Sequence, residues 1–150
     1  MKDMEIERKF LIKEVPAEAQ AAEKLVIEQA YLCRKPVVRV RRANDDYYLT
    51  YKGGGMMARE EYNLPLTAEA YKTLRAKADG TIIRKTRHLI PYCSAGEEYL
   101  IELDLFENPN PGLWMAEVEF ESIEKAEGFE PPAWFGTEVT YDKKYHNSNM

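Results

Sequence analysis

Between Met4 and Ile12 the chain reads MEIERKFLI, with Ile6, Phe10 and Ile12 on one parity and Glu5, Glu7 and Lys9 on the other. Successive side chains of a strand point to opposite faces, so this alternation predicts a strand with one apolar and one charged face. The same period recurs along the chain. LVIEQAYLC (25–33) sets Gln29, Tyr31 and Cys33 apart from apolar or small residues, and PVVRVRRA (36–43) sets Arg39 and Arg41 against Val38 and Val40. YYLTYKGGG (47–55) sets Thr50 and Lys52 against Leu49 and Tyr51, and AREEYNLPL (58–66) puts Arg59, Glu61 and Asn63 on one parity. TIIRKTRHLIPY (81–92) pairs Lys85 with Arg87, EYLIELDLF (98–106) pairs Glu102 with Asp104, and WMAEVEFES (114–122) aligns Glu117, Glu119 and Glu121.

Between these eight candidate strands, four segments read as short helices. They are PAEAQAAEK (16–24), LTAEAYKTLRAKADG (66–80) with Thr67 as N-cap and Gly80 as stop, a turn or two from Ile123 to Glu127, and, after Pro131 and Pro132, a last one from Thr137 to Tyr145. Eight strands can close into a barrel, which also removes the sheet edges. The helices need an apolar surface to pack on. That turns the apolar strand faces outward and leaves the charged faces lining the lumen. An open sheet with a solvated charged face is the competing arrangement.

Composition narrows the field. The 150 residues fit a single domain spanning 1–150, with no repeats or linker-like tracts, and are 45% hydrophobic and 31% charged. No apolar run reaches the length of a membrane span, and the N-terminus lacks the apolar stretch of a signal peptide. Cys33 and Cys93 are far apart with no metal-like spacing, which points to reduced thiols in a cytoplasmic protein. A net charge of −5 argues against nucleic acid as a partner.

The charges are sorted by sign. Acids come as ExE, ExD and ExE pairs, while Arg39 with Arg41, and Lys85 with Arg87, share strands. Paired carboxylates on one face suit hard cations such as Mg²⁺ or Mn²⁺, and clustered bases suit a polyanion. A triphosphate answers both, since a metal bridges its oxygens while Arg and Lys hold the rest. Tripolyphosphate carries roughly four to five negative charges near neutrality. A solvated face is the ordinary explanation for any single charged strand, but surface faces mix signs, and here the sorting repeats over six strands. Gly53–Gly55 read as a hairpin turn, without the spacing of a P-loop. His88 falls on the outer parity, His146 lies near the C-terminus, and no Ser or Cys has a neighbouring base. Trp114, Trp134 and Phe135 read as packing anchors.

Glu5-Ile6-Glu7-Arg8-Lys9 forms an ExExK signature that resembles the CYTH superfamily, the triphosphate tunnel metalloenzymes. Gln29 with Tyr31, Arg39 with Arg41, Lys52, Arg59 with Glu61, Lys85 with Arg87, Glu102 with Asp104, and Glu117 with Glu119 are similar to the family's successive strand motifs, and VTYDKKYHNSN is similar to its closing segment. The resemblance implies a mainly β, α+β fold: an eight-stranded antiparallel closed β-barrel with a charged lumen and helices outside. It implies a metal-dependent triphosphatase, most similar to the short bacterial tripolyphosphatases, using one or two Mg²⁺ or Mn²⁺ ions. On that resemblance Lys9, Arg39, Arg41, Lys52, Arg59, Lys85 and Arg87 hold phosphate, and Glu5, Glu7 and Glu119 hold metal. Glu61, Asp104 and Glu117, with Glu102 nearby, hold a second metal or position the attacking water, and Lys9 and Lys85 join the catalytic set. Tyr145 and Asn147 are placed to close one mouth of the tunnel. An adenylate cyclase, a thiamine triphosphatase and a non-catalytic polyphosphate-binding module are the alternatives on the same residues.

Overall fold

The computed structural model describes residues 3–55, 57–147 and 150. Nine strands form one sheet: β1 (Asp3–Ile12), β2 (Glu23–Arg34), β3 (Val37–Ala43), β4 (Asp46–Lys52), β5 (Ala58–Pro65), β6 (Ile83–Ser94), β7 (Glu97–Asn108), β8 (Trp114–Glu119) and β9 (Phe135–Glu138). Helices α1 (Glu18–Ala21), α2 (Ala68–Ala76) and α3 (Ile123–Gly128) lie between them. The spatial order is β5-β4-β3-β2-β6-β7-β8-β1-β9, and β1 also pairs with β5, so the first eight strands close into a barrel. All pairings are antiparallel. β1 makes the closure. Glu5 lies opposite Arg59 of β5, Glu7 and Lys9 opposite Glu119 and Glu117 of β8, and its last residues run along β9.

The apolar faces do point outward. Phe10, Ile101, Leu103, Ala116, Val118 and Phe120 pack with Ala19 of α1, Ala126 of α3 and Phe129. Round the barrel, Ala30 and Val40 lie beneath Tyr71 of α2. Thr67 caps α2, its hydroxyl accepting from Ala70 N at 3.0 Å. Glu28 ties that helix to the wall by accepting from Tyr71 Oη at 2.8 Å, Arg75 Nη1 at 3.0 Å and Arg84 Nε at 3.1 Å. The β6–β7 hairpin turns on Ala95 and Gly96, with φ of 50° and 80°. Positive φ at both positions is what a two-residue turn needs to match strand twist.

Three expectations change. The segment from Thr137 to Tyr145 is not a helix: Phe135–Glu138 is strand β9, and Lys143–Tyr145 is a single 3₁₀ turn. Phe135 docks on Phe10, with ring centroids 4.7 Å apart, and the β-branched Thr137, Val139 and Thr140 favour extended backbone. Val139 N donates to Lys9 O at 2.8 Å and Lys9 N to Thr140 Oγ1 at 3.0 Å, continuing the tail along β1. α1 is one turn, because Glu23 and Lys24 already belong to β2. α2 ends at Ala76 rather than running to Gly80, and Asp79 N donates to Tyr31 O instead. Among the described residues no helix is long and apolar enough to cross a membrane, and both cysteines are free thiols.

Candidate metal and polyphosphate site

Because the apolar parity is spent on the helices, the charged parity meets inside the barrel. Glu5, Glu7, Lys9, Arg39, Arg41, Lys52, Lys85, Arg87, Asp104 and Glu117 are all buried there. Arg59, Glu61, Glu102 and Glu119 line the same cavity of about 700 Å³, Glu119 being the most exposed. Cross-strand register sets neighbours: Lys52 opposite Glu61, Arg41 opposite Gln29, Arg87 opposite Asp104, Glu102 opposite Glu117. Glu121 lies outside this set, exposed and paired with Lys125 at 3.3 Å.

Glu5, Glu7 and Glu119 converge, with one carboxylate oxygen from each within 4.8 Å of the others. Burial and the neighbouring Glu117 carboxylate push the Glu7 pKa up to about 7. Lost hydration, then repulsion from Glu102, Glu5 and Glu7, pushes Glu119 up to about 8. Burial would raise Glu5 too, but the Lys52 ammonium 2.8 Å away holds it at about 2. Three oxygen donors that repel one another across a gap of this size fit a hard divalent ion.

The other acids are engaged by bases. Asp104 takes Arg87 Nε and Nη2 at 2.8 and 2.9 Å, a bidentate pair, and has Lys85 Nζ at 2.8 Å. Burial would raise its carboxyl, but Arg87 and Lys85 hold it below the ordinary range. Glu117 lies 3.7 Å from both Lys9 Nζ and Arg87 Nη2, and Glu102 accepts from Arg87 Nη1 at 3.0 Å. Glu61 sits 3.6 Å from Lys52 Nζ and accepts from Asn63 Nδ2 at 3.2 Å. Burial and the Glu5 charge raise its pKa.

Some polar atoms have no partner. Among the described residues, the buried side-chain N and O atoms without a hydrogen bond are Arg39 Nε, Lys85 Nζ, Glu102 Oε1 and Asn147 Oδ1; Arg39, Glu102 and Asn147 line the cavity, and Lys85 is buried beside Asp104. Lys85 Nζ nevertheless lies 2.8 Å from Asp104 Oδ2, an ion pair at hydrogen-bond distance. Orphaned polar groups cost about 1–3 kcal/mol each, and their concentration here marks a cavity built for a ligand.

Sequence reading named Tyr145 and Asn147 for the closing of one mouth but missed the apolar strand residues there. Tyr31, Val37, Ile83, Phe106, Met115 and Val139 form an apolar cluster, joined by Leu11, Leu113 and Tyr145, that stops one end of the lumen. The signal was available, since on several strands the inward parity changes from charged to apolar at one end. Trp114 packs against His88 on the outer wall, centroids 5.4 Å apart, and does not line the lumen.

A CYTH-domain family profile matches residues 3–145. The chain belongs to the CYTH-domain family. An inorganic triphosphatase of Nitrosomonas europaea is 36% identical over 97% of this chain and 95% of its own, and one of Acetivibrio thermocellus is 34% identical over 97% and 92%. A solved inorganic triphosphatase superposes with a TM-score of 0.68 at 32% identity, covering 97% of this chain and 92% of that one. CYTH proteins are metal-dependent, and this chain carries a cluster of three acidic residues, Glu5, Glu7 and Glu119, that could hold a metal ion.

Proposed function

We propose that this CYTH chain hydrolyses inorganic tripolyphosphate, with nucleoside triphosphates as slower substrates, by attack of water on the terminal phosphorus inside the lumen. The observation that supports this is the sorting of buried charge. A converging carboxylate trio stands on β1 and β8, while Arg39, Arg41, Lys52, Arg59 and Arg87 line other walls of the same cavity, Arg39 with an N–H that has no partner among the described residues. Two relatives covering nearly all of the chain carry the name inorganic triphosphatase, which supports the same reading.

In this reading Glu5, Glu7 and Glu119 hold Mg²⁺ or Mn²⁺, which when bound neutralises charge on the phosphate oxygens and polarises phosphorus. Lys9, Arg39, Arg41, Lys52 and Arg59 grip the phosphoryl oxygens, Arg39 through the N–H that has no other partner. Lys85 and Arg87 join them in holding phosphate, and Asp104 keeps both in position rather than binding metal. Glu117 does the same for Lys9 and Arg87. Glu61, whose proton affinity is raised, takes the proton of the attacking water or holds a second ion. Positioning and charge neutralisation then lower the barrier without a covalent intermediate. The free thiols of Cys33 and Cys93 fit the cytoplasm as the place of work.

The test is phosphate release from tripolyphosphate, ATP and thiamine triphosphate at equal concentration, each with Mg²⁺, Mn²⁺ or EDTA. EDTA-sensitive release, fastest from tripolyphosphate, is expected. Glu5→Gln should lose roughly 100-fold or more in turnover while the protein stays folded. Metal-independent release, or cyclic AMP formed from ATP without phosphate release, overturns the proposal.

A further inference from the structure

After β9 the tail seals the floor of the lumen. Val139 joins the apolar cluster there, Tyr145 packs on it, and the chain then turns its next two side chains inward. His146 is spoken for, with Nε2 3.2 Å from Thr140 O. Asn147 is not. It is more than nine-tenths buried at 8% exposure, it lines the cavity together with Lys9, Arg59 and Glu117, and its Oδ1 has no hydrogen-bond partner among the described residues. Packing does not account for an amide here, because Leu11, Met115 and Val139 cover the same floor with apolar groups. The other buried orphans, on Arg39, Lys85 and Glu102, belong to the lumen's charged wall.

We infer that Asn147 is a further substrate-contacting residue, which the C-terminal tail contributes to the closed end of the lumen. Its carboxamide meets the terminal phosphoryl group of bound polyphosphate, the amide nitrogen donating to a phosphoryl oxygen and the amide oxygen accepting from the attacking water. The inference rests on the tripolyphosphatase reading of the same lumen. The chemistry suits the place. A phosphoryl oxygen needs a donor and a water needs an acceptor, and a carboxamide offers both without adding charge to walls whose signs are already matched. A carboxylate would repel the substrate, and an ammonium could not accept from water. A blind floor also means that the chain end, rather than an internal phosphate, reaches Asn147.

Asn147→Leu keeps the volume and removes both polar groups, while Asn147→Asp keeps an acceptor and adds a negative charge. Three readouts separate a contact from a structural role: kcat and KM for tripolyphosphate with Mg²⁺, the melting temperature of the ligand-free protein, and the rise in that temperature on adding tripolyphosphate in EDTA. Asn147→Leu should lower kcat about 10- to 100-fold while leaving the ligand-free melting temperature unchanged or higher, since an unpaired buried oxygen is removed. Its ligand-induced rise should be smaller than that of the unmodified chain. Asn147→Asp should raise KM more than Asn147→Leu does. Kinetics within twofold of the unmodified chain overturn the inference, as does a loss of turnover accompanied by a fall in ligand-free melting temperature. If the unmodified chain hydrolyses no triphosphate, the functional reading fails on its own account and the ligand-induced rise decides this one. An equal rise in both proteins, or none in either, overturns it, and a smaller rise in Asn147→Leu upholds the contact.

Discussion

Asp104→Asn tests whether the second acidic group steadies cations or binds metal. Asp104 is fully buried, chelates Arg87 through two hydrogen bonds and faces Lys85 at 2.8 Å. Removing one partner of a buried ion pair costs about 3–5 kcal/mol because the other charge is stranded. Arg87 keeps Glu102 and Glu117, at 3.0 and 3.7 Å, so its share of the loss is modest. Lys85 has no other carboxylate within salt-bridge distance among the described residues, but it can shed its proton. Burial already lowers its pKa to about 8 despite Asp104. These considerations place the loss near the lower bound, about 3 kcal/mol at pH 7, or a fall of roughly 6–12 °C in melting temperature for a chain of this size. The sign of the pH dependence follows from Lys85. Its folded pKa lies below its unfolded 10.5, so its penalty is full below the folded pKa and fades as pH rises toward the unfolded one. Without Asp104 the folded pKa of Lys85 drops further, so the Lys85 part of the Asp104→Asn deficit should narrow as pH rises toward about 8, above which the penalty fades in parallel in both proteins. The assay is thermal unfolding of both proteins without metal from pH 6 to 10, repeated with tripolyphosphate and with Mg²⁺. Tripolyphosphate should recover part of the deficit, and the Mg²⁺-induced stabilisation should be unchanged. A variant as stable as its parent, or one whose only defect is lost Mg²⁺ stabilisation, refutes the reasoning and returns Asp104 to the metal.

Two further outcomes are expected. Glu7 and Glu119 have folded pKa values raised to about 7 and 8, so the metal-free protein should lose stability as pH rises from about 4.5 to 8, with the full penalty above that window. Mg²⁺ should flatten that slope and release protons on binding, which calorimetry in buffers of different ionisation enthalpy can count; a metal-free stability that is flat over this range contradicts the assignment. At the β6–β7 turn, Ala95 carries a Cβ at φ 50°, so Ala95→Asn or Ala95→Gly should stabilise by about 0.5–1 kcal/mol, read as a rise of roughly 1–4 °C with unchanged kinetics.

The barrel was legible because two constraints read the same residues. Parity said which face each side chain takes, and the need of the helices for an apolar surface said which face turns outward. Parity put Glu5, Glu7 and Glu119 among the inward acids, but singling out these three as a metal trio came from the family resemblance, and their convergence depends on β1 lying between β5 and β8, which no local pattern states. Asp104 could not be told from a metal ligand by type or spacing. Only the register opposite Arg87, with Lys85 beside it, commits its oxygens to cations. The tail was misread because Thr137 to Tyr145 has no apolar alternation of its own, and its strand is specified by what it meets, Phe10 and the backbone of Lys9. The strands' share of the floor was written in the chain and overlooked. Leu11 follows Lys9, Tyr31 follows Gln29, Val37 precedes Arg39, Ile83 precedes Lys85 and Met115 precedes Glu117. Antiparallel strands make those "before" and "after" positions the same end of the barrel.

The charge balance constrains how the lumen fills. Its described acids, Glu5, Glu7, Glu61, Glu102, Asp104, Glu117 and Glu119, are matched in number by its bases, Lys9, Arg39, Arg41, Lys52, Arg59, Lys85 and Arg87, so the ligand-free set is neutral when every group is ionised. A polyphosphate of four to five charges entering alone would leave that excess unneutralised among buried groups. Divalent ions on the Glu5–Glu7–Glu119 side offset it. Glu7 and Glu119 there have raised proton affinities through burial and the neighbouring carboxylates, and Arg39 on another wall keeps an N–H with no partner among the described residues. Each half of the site is completed by the partner of the other, so metal and polyphosphate should bind with positive cooperativity, each tightening the other by the same factor. Product release is then subject to the same coupling as binding.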